Sequence, residues 1–128
     1  MTRKSISSLI APKAIGPYSH AVWTGNLLYC SGQTPIDPAT GKLVNGSIQE
    51  QTAQAFNNLE AVLASAGLTM DNVIKVNVYL TSMVNFPGMN QIYQERFLLP
   101  YPARTTVAVA ELPLNALVEI ELIAEKDQ

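Results

Sequence analysis

"YPARTTVAVAELP", residues 101–113, sets an arginine at the head of a run that otherwise alternates small and branched apolar residues. With the two-residue period of a strand, Thr105, Val107 and Val109 share one face, and Arg104, Thr106, Ala108 and Ala110 the other. A long cation among small side chains has either reached solvent at a strand end or reached into a pocket. The next strand, "LVEIELIA" at residues 117–124, puts Val118, Ile120 and Leu122 on one face and Glu119, Glu121 and Ile123 on the other. Successive strands suggest a hairpin with Arg104 beside one of the two glutamates, within one subunit or across two. The plainer alternative is a solvated face with an ordinary surface ion pair, worth little to stability.

The pattern extends upstream. "NVIKVNVYL" alternates as a half-buried strand, with Ile74, Val76, Val78 and Leu80 expected inward and Lys75, Asn77 and Tyr79 on the other face. Between it and Arg104, Asn85 to Leu98 suggests a helix with Pro87 in its first turn. Its stripe of Phe86, Tyr93 and Phe97 is interrupted by Asn90, a polar residue at helical spacing. A buried amide must be satisfied, so Asn90 either bonds a nearby backbone loop or meets a ligand.

Earlier still, Ser47-Ile48-Gln49-Glu50 is a capping box, and Gly67 closes the helix that it opens. Ala55, Phe56, Leu59, Val62, Leu63 and Ala66 give that helix an apolar face. Tyr18–Thr24 and Leu27–Gly32 are expected as a hairpin turning at Gly25-Asn26, followed by the loop "TPIDPATGK". A short leading strand is expected near Ile6. The order ββ-α-β-α-ββ predicts one α+β domain over residues 1–128, a sandwich of a mostly antiparallel sheet with two helices on one face.

Composition limits the function. Apolar residues make up 48% and charged residues 14% of the 128, against a usual charged share of about 25%. So few charges cover a monomer poorly, and an oligomer that hides apolar surface is expected. A net charge of −2 argues against a nucleic-acid footprint. Cys30 is the only cysteine and His20 the only histidine, so an intrachain disulfide and a His/Cys zinc site are both excluded. Cys30 reads as a small buried hydrophobe and His20 as a structural or surface residue. No apolar run is long enough to span a membrane, and Met1–Ser8 lacks a signal-like core, so a cytoplasmic protein is expected.

"AIGPYSHAV", "LLYCSGQTPIDPATGKLV", "VIKVNVYLTSM", "FPGMNQIYQERF" and "PARTTVAVAELP" followed by "ALVEIELIA" together resemble the RidA (YjgF/YER057c/UK114) family over nearly the whole chain. The resemblance implies a chorismate-mutase-like fold and a homotrimer with a central barrel and an active site in each inter-subunit cleft. It also implies 2-iminobutanoate/2-iminopropanoate deaminase activity on a small 2-imino acid, with no cofactor or metal, no nucleic acid and no membrane partner. By position, Arg104 matches the family's carboxylate-binding arginine and Glu119 its acid near the catalytic water. Tyr18, Ser31, Gly32 and Asn90 match pocket residues. Thr106 stands where many members carry Cys, and Thr105 where Ser is frequent, so a thiol-dependent activity at Thr106 is not expected.

The chemistry suits these residue types. Arginine's planar fork grips a carboxylate through two parallel hydrogen bonds. Glu119 can orient or deprotonate a water, and Tyr18 can position or shuttle a proton. The competing expectation is a binding module without this activity: a regulatory, RNA-acting or chaperone-like role, also attached to the family.

Overall fold

The computed structural model describes residues 2–127. The elements run β1 (Lys4–Ile6), β2 (Ala21–Thr24), β3 (Leu27–Gln33), β4 (Ile36–Asp37), β5 (Lys42–Leu43), α1 (Ile48–Ser65), β6 (Val73–Leu80), α2 (Phe86–Arg96), β7 (Ala103–Ala108) and β8 (Val118–Glu125). Six strands form one sheet in the order β1-β2-β3-β8-β6-β7, and both helices pack on one face of it. Every pairing in that sheet is antiparallel except β6 with β7. The α+β reading therefore holds.

Helix α1 follows from local chemistry. The Ser47 hydroxyl accepts from the Glu50 N–H, and the Glu50 carboxylate accepts from the Ser47 N–H, both at 3.2 Å. At the other end Gly67 takes φ 77°, its N–H donates to Ala64 O at 3.0 Å, and the Leu68 N–H donates to Leu63 O at 2.9 Å. This is a Schellman closure, which needs a residue free to adopt positive φ. Between these caps Ala55, Phe56, Leu59, Val62 and Leu63 are fully buried against the sheet. The core is completed by Leu28, Val76, Val78, Val118 and Ile120.

Helix α2 is shorter than predicted. Phe97 is already extended (φ −129°, ψ 146°), and its ring joins Phe56 and Tyr93 in a cluster with centroids 4.9–5.8 Å apart. Pro100 and Pro102 follow, and neither continues a helix. Gly88 lets α2 approach α1 closely, since a Cβ there would sit 2.6 Å from Ile48 Cγ2.

Three expectations are corrected. The two terminal strands do not form a hairpin. β7 pairs in parallel with β6, Arg104 opposite Val76, and β6 stands between β7 and β8. The 109–117 connection reverses the chain but carries it past β6, so that β8 lies on that strand's far side. Ile74 does not point inward but is 43% exposed, because the register against β8 shifts between Val73 and Lys75. A bulge inserts one residue, so Val73 takes the inward place. The loop at 34–42 contains a small hairpin, β4 with β5. In addition, β2 begins at Ala21 and not at Tyr18, and β3 runs on to Gln33.

Candidate active site

The β8 carboxylates lie on the sheet face away from the helices. Glu119 is opposite Tyr79 of β6, and Glu121 opposite Asn77. The Tyr79 hydroxyl donates to Glu121 Oε1 at 2.8 Å, which raises the Tyr79 pKa above the usual phenol value. Glu119 is pushed above the usual carboxylate value, first by burial and then by its like-charged neighbour Glu121.

Glu119 lies against Gly32. A Cβ added at Gly32 would be 3.0 Å from the Glu119 carboxyl carbon and closer still to Oε2. Only glycine admits the acid here. Gly32 and Ser31 sit where the β3–β8 register shifts between Cys30 and Gln33. The irregularity takes both out of the ladder and presents them to the cleft. The Ser31 hydroxyl donates to Ser19 O at 2.6 Å, and the Ser31 N–H donates to His20 O at 2.9 Å.

Tyr18 completes this polar group. Gly16, at φ 121°, turns the chain so that the Tyr18 hydroxyl accepts from the Ile15 N–H at 3.3 Å. His20 anchors the same segment. It is buried, its Nδ1 accepts from the Ser8 N–H at 3.0 Å, and its Nε2 lies 2.8 Å from Pro12 O. One ring nitrogen faces a donor and the other an acceptor, which fixes the orientation of the ring. Tyr18, Ser31, Gly32, Glu119 and Glu121 thus line one cleft of about 580 Å³. Cys30 also borders it, but burial pushes its thiol up to about 12, as suits a small core residue.

Arg104 is elsewhere. Its Nη1 donates to Asn90 Oδ1 at 2.6 Å, and its guanidinium stacks 4.5 Å from the Tyr93 ring centroid and 5.4 Å from that of Phe86. Asn90 Oδ1 is thus taken up by the arginine itself and not by a backbone loop. Among the described residues the one ion pair is Arg96 with Glu60 at 3.6 Å, so Arg104 has no carboxylate partner there. It borders a second cleft, of about 410 Å³, shared with Asn90, Tyr93 and Tyr101. Beside it two buried hydroxyls, Tyr93 Oη and Thr106 Oγ1, have no partner among the described residues.

The cradle was half legible. Phe86, Asn90 and Tyr93 recur at helical spacing, so their common face could be read. That they face Arg104 follows only from the parallel β6–β7 pairing, which carries Arg104 to the helix side of the sheet.

Among the described residues no three His, Cys, Asp or Glu side chains converge as metal ligands, and no helix is long and apolar enough to cross a membrane.

Residues 9–126 match the family described as Endoribonuclease L-PSP. The chain belongs to the RidA (YjgF) family. Among its relatives in that family, a RutC family protein of Pyrococcus horikoshii is 50% identical over 91% of this chain and 93% of its own. A 2-iminobutanoate/2-iminopropanoate deaminase of Dermatophagoides farinae is 46% identical over 94% of each chain. Among solved structures, the Rid-family protein YyfA of Yersinia pestis superposes with TM-score 0.93 at 46% identity, covering 97% of this chain and 99% of that one. The α+β fold is thus that of the solved RidA proteins.

Proposed function

We propose that this RidA-family chain hydrolyses small 2-imino acids and their enamine tautomers, such as 2-aminoacrylate and 2-iminobutanoate, to 2-keto acids and ammonia. The observation that carries the reading is Arg104: a guanidinium oriented by Asn90 and Tyr93, bordering a cleft, with no protein carboxylate to pair with. Such a preorganised fork fits a ligand carboxylate. Deaminase-named relatives at this level of identity support the same chemistry.

The two clefts belong to opposite faces of one sheet, so the complete site needs two copies. Arg104 of one copy grips the substrate carboxylate, and Glu119 of a neighbour faces the imine carbon. Closure of three copies through their open sheet faces, where Tyr29 and Val107 are exposed, forms a trimer with such a site at each junction. Thr106 Oγ1 and Tyr93 Oη, without partners among the described residues, offer polar groups to what docks there.

In the reaction, water adds to the C=N carbon to give a carbinolamine, and the C–N bond then breaks to release ammonia and leave the 2-keto acid. Glu119, its pKa raised above the usual carboxylate value by burial and then by Glu121, acts as the base that takes the water's proton. Ser31 and Gly32 fix the wall against which the imine lies. The Tyr18 hydroxyl accepts from the Ile15 N–H, which leaves its O–H to donate into the cleft. The test is ammonia and 2-keto acid release from 2-aminoacrylate generated in the assay, with RNA cleavage measured on the same preparation. RNA cleavage without ammonia release would refute the hydrolytic reading.

A further inference from the structure

The connection between β7 and β8 contains two consecutive non-glycine residues in the left-handed region, Leu114 (φ 59°, ψ 22°) and Asn115 (φ 59°). Asparagine visits this region with little difficulty, whereas a branched apolar residue does so only when its surroundings impose it. Here both ends of the turn are tied down. Pro113 fixes its own φ, and the Asn115 and Ala116 N–H groups donate to Leu112 O at 3.2 Å and Pro113 O at 3.1 Å. Just beyond, Ala116 is fully buried and the Leu117 N–H donates to Gln51 Oε1 at 2.8 Å. Strained backbone held in this way gathers at ligand sites more often than elsewhere.

The strain presents the Leu114 side chain to the Glu119 cleft, where it is 61% exposed. It is not alone there. Ile15, 80% exposed, lines the same cleft, as do Pro113 and Ile36. The cleft is therefore lined by exposed apolar side chains together with Lys13, Tyr18, Ser31, Gly32 and the two glutamates. Exposed apolar side chains gathered at one cleft mark a surface that binds an apolar group.

We propose that Leu114 is the specificity-determining residue for the substrate side chain, an apolar lip that favours 2-imino acids with an extended aliphatic group over the smallest ones. This rests on the imine-hydrolysis reading of the cleft. A 2-imino acid has three parts. Its carboxylate goes to arginine and its C=N carbon to Glu119, so the remaining alkyl group falls on the rim that Leu114 and Ile15 form.

The experiment compares two imines generated in the assay by an L-amino-acid oxidase, 4-methyl-2-iminopentanoate from leucine and 2-iminopropanoate from alanine. Wild type is expected to have the higher kcat/KM for the leucine-derived imine. Leu114→Ala should lower that preference roughly 10-fold, through KM for the larger substrate, since even one methylene in an apolar pocket carries discrimination of this order. Leu114→Met, apolar and of similar volume, should restore it. Asn115→Gly keeps the left-handed turn without touching the lip, so it should keep wild-type selectivity. An unchanged ratio in Leu114→Ala, or a change of oligomeric state with no change of ratio, overturns the proposal and leaves imine hydrolysis standing. A wild type inert toward both imines overturns the hydrolytic reading and the lip together.

Discussion

Arg104 and Glu119 lie on opposite faces of one sheet. Arg104 is opposite Val76 and Glu119 opposite Tyr79, and Val76 and Tyr79, three residues apart along β6, point in opposite directions. The cation turns to the helices and the acid to the open face. On the proposed reading, which uses both, a second copy of the chain completes the site.

The oligomer is the first consequence. Analytical ultracentrifugation should give a stable trimer at micromolar concentration. Mixing Arg104→Ala with Glu119→Gln subunits should restore activity that neither homomer has, because some junctions then pair an intact arginine with an intact acid. A monomer with full activity would sink the two-copy site.

Arg104→Lys keeps the charge and loses the planar fork. The loss of one charge-assisted bond is worth roughly 1.5–3 kcal/mol, or about 10- to 150-fold in kcat/KM. Arg104→Ala should lose more. Both variants should stay folded, with a modest fall in melting temperature, largest for Arg104→Ala, because the guanidinium's bond to Asn90 and its stacking on Tyr93 and Phe86 are lost. Near-normal hydrolysis by the lysine variant would rule out the clamp.

Glu119 makes stability depend on pH in an unusual direction. Its folded pKa is raised, so between the unfolded and folded values the native state holds the extra proton. Stability on this account falls as pH rises through that window, and the penalty is fully present above the folded value. Glu119→Gln should therefore melt above wild type at pH 8, with the gain fading as pH falls through the carboxylate range, while hydrolysis is lost. A lower melting temperature at pH 8 would contradict the burial account.

Gly32→Ala tests the closeness of the acid. The new methyl meets the end of the Glu119 side chain, which can swing away without moving backbone. The fold should survive, and hydrolysis should fall by up to ~10²-fold, the scale of a misplacement of about 1 Å. Melting and rate measured together separate this from general unfolding.

Cys30 should be inert. With its thiol at about 12 and its side chain buried, the native protein should resist a thiol-specific reagent at pH 8 and yield one thiol per chain only in denaturant. Fast labelling of the native state would show that β3 opens.

What the sequence determined was local or compositional. The capping box at Ser47 and Glu50, the closure at Gly67 and the strict alternation of Val118–Leu122 each involve neighbours a few residues apart, so their period and chemistry are written along the chain. The family motifs named Tyr18, Ser31, Gly32, Asn90, Arg104, Thr106 and Glu119 together but gave no positions in space. Only the tertiary structure decided that β7 lies parallel beside β6, that Asn90 on α2 holds Arg104, and that Gly32 makes room for Glu119. Those contacts join residues far apart in the chain. The alternation that sorts the side chains of β7 into two faces is the same for a parallel neighbour as for an antiparallel one. Strand order follows from which apolar faces can be buried together under α1 and α2, and that is a property of the packed molecule.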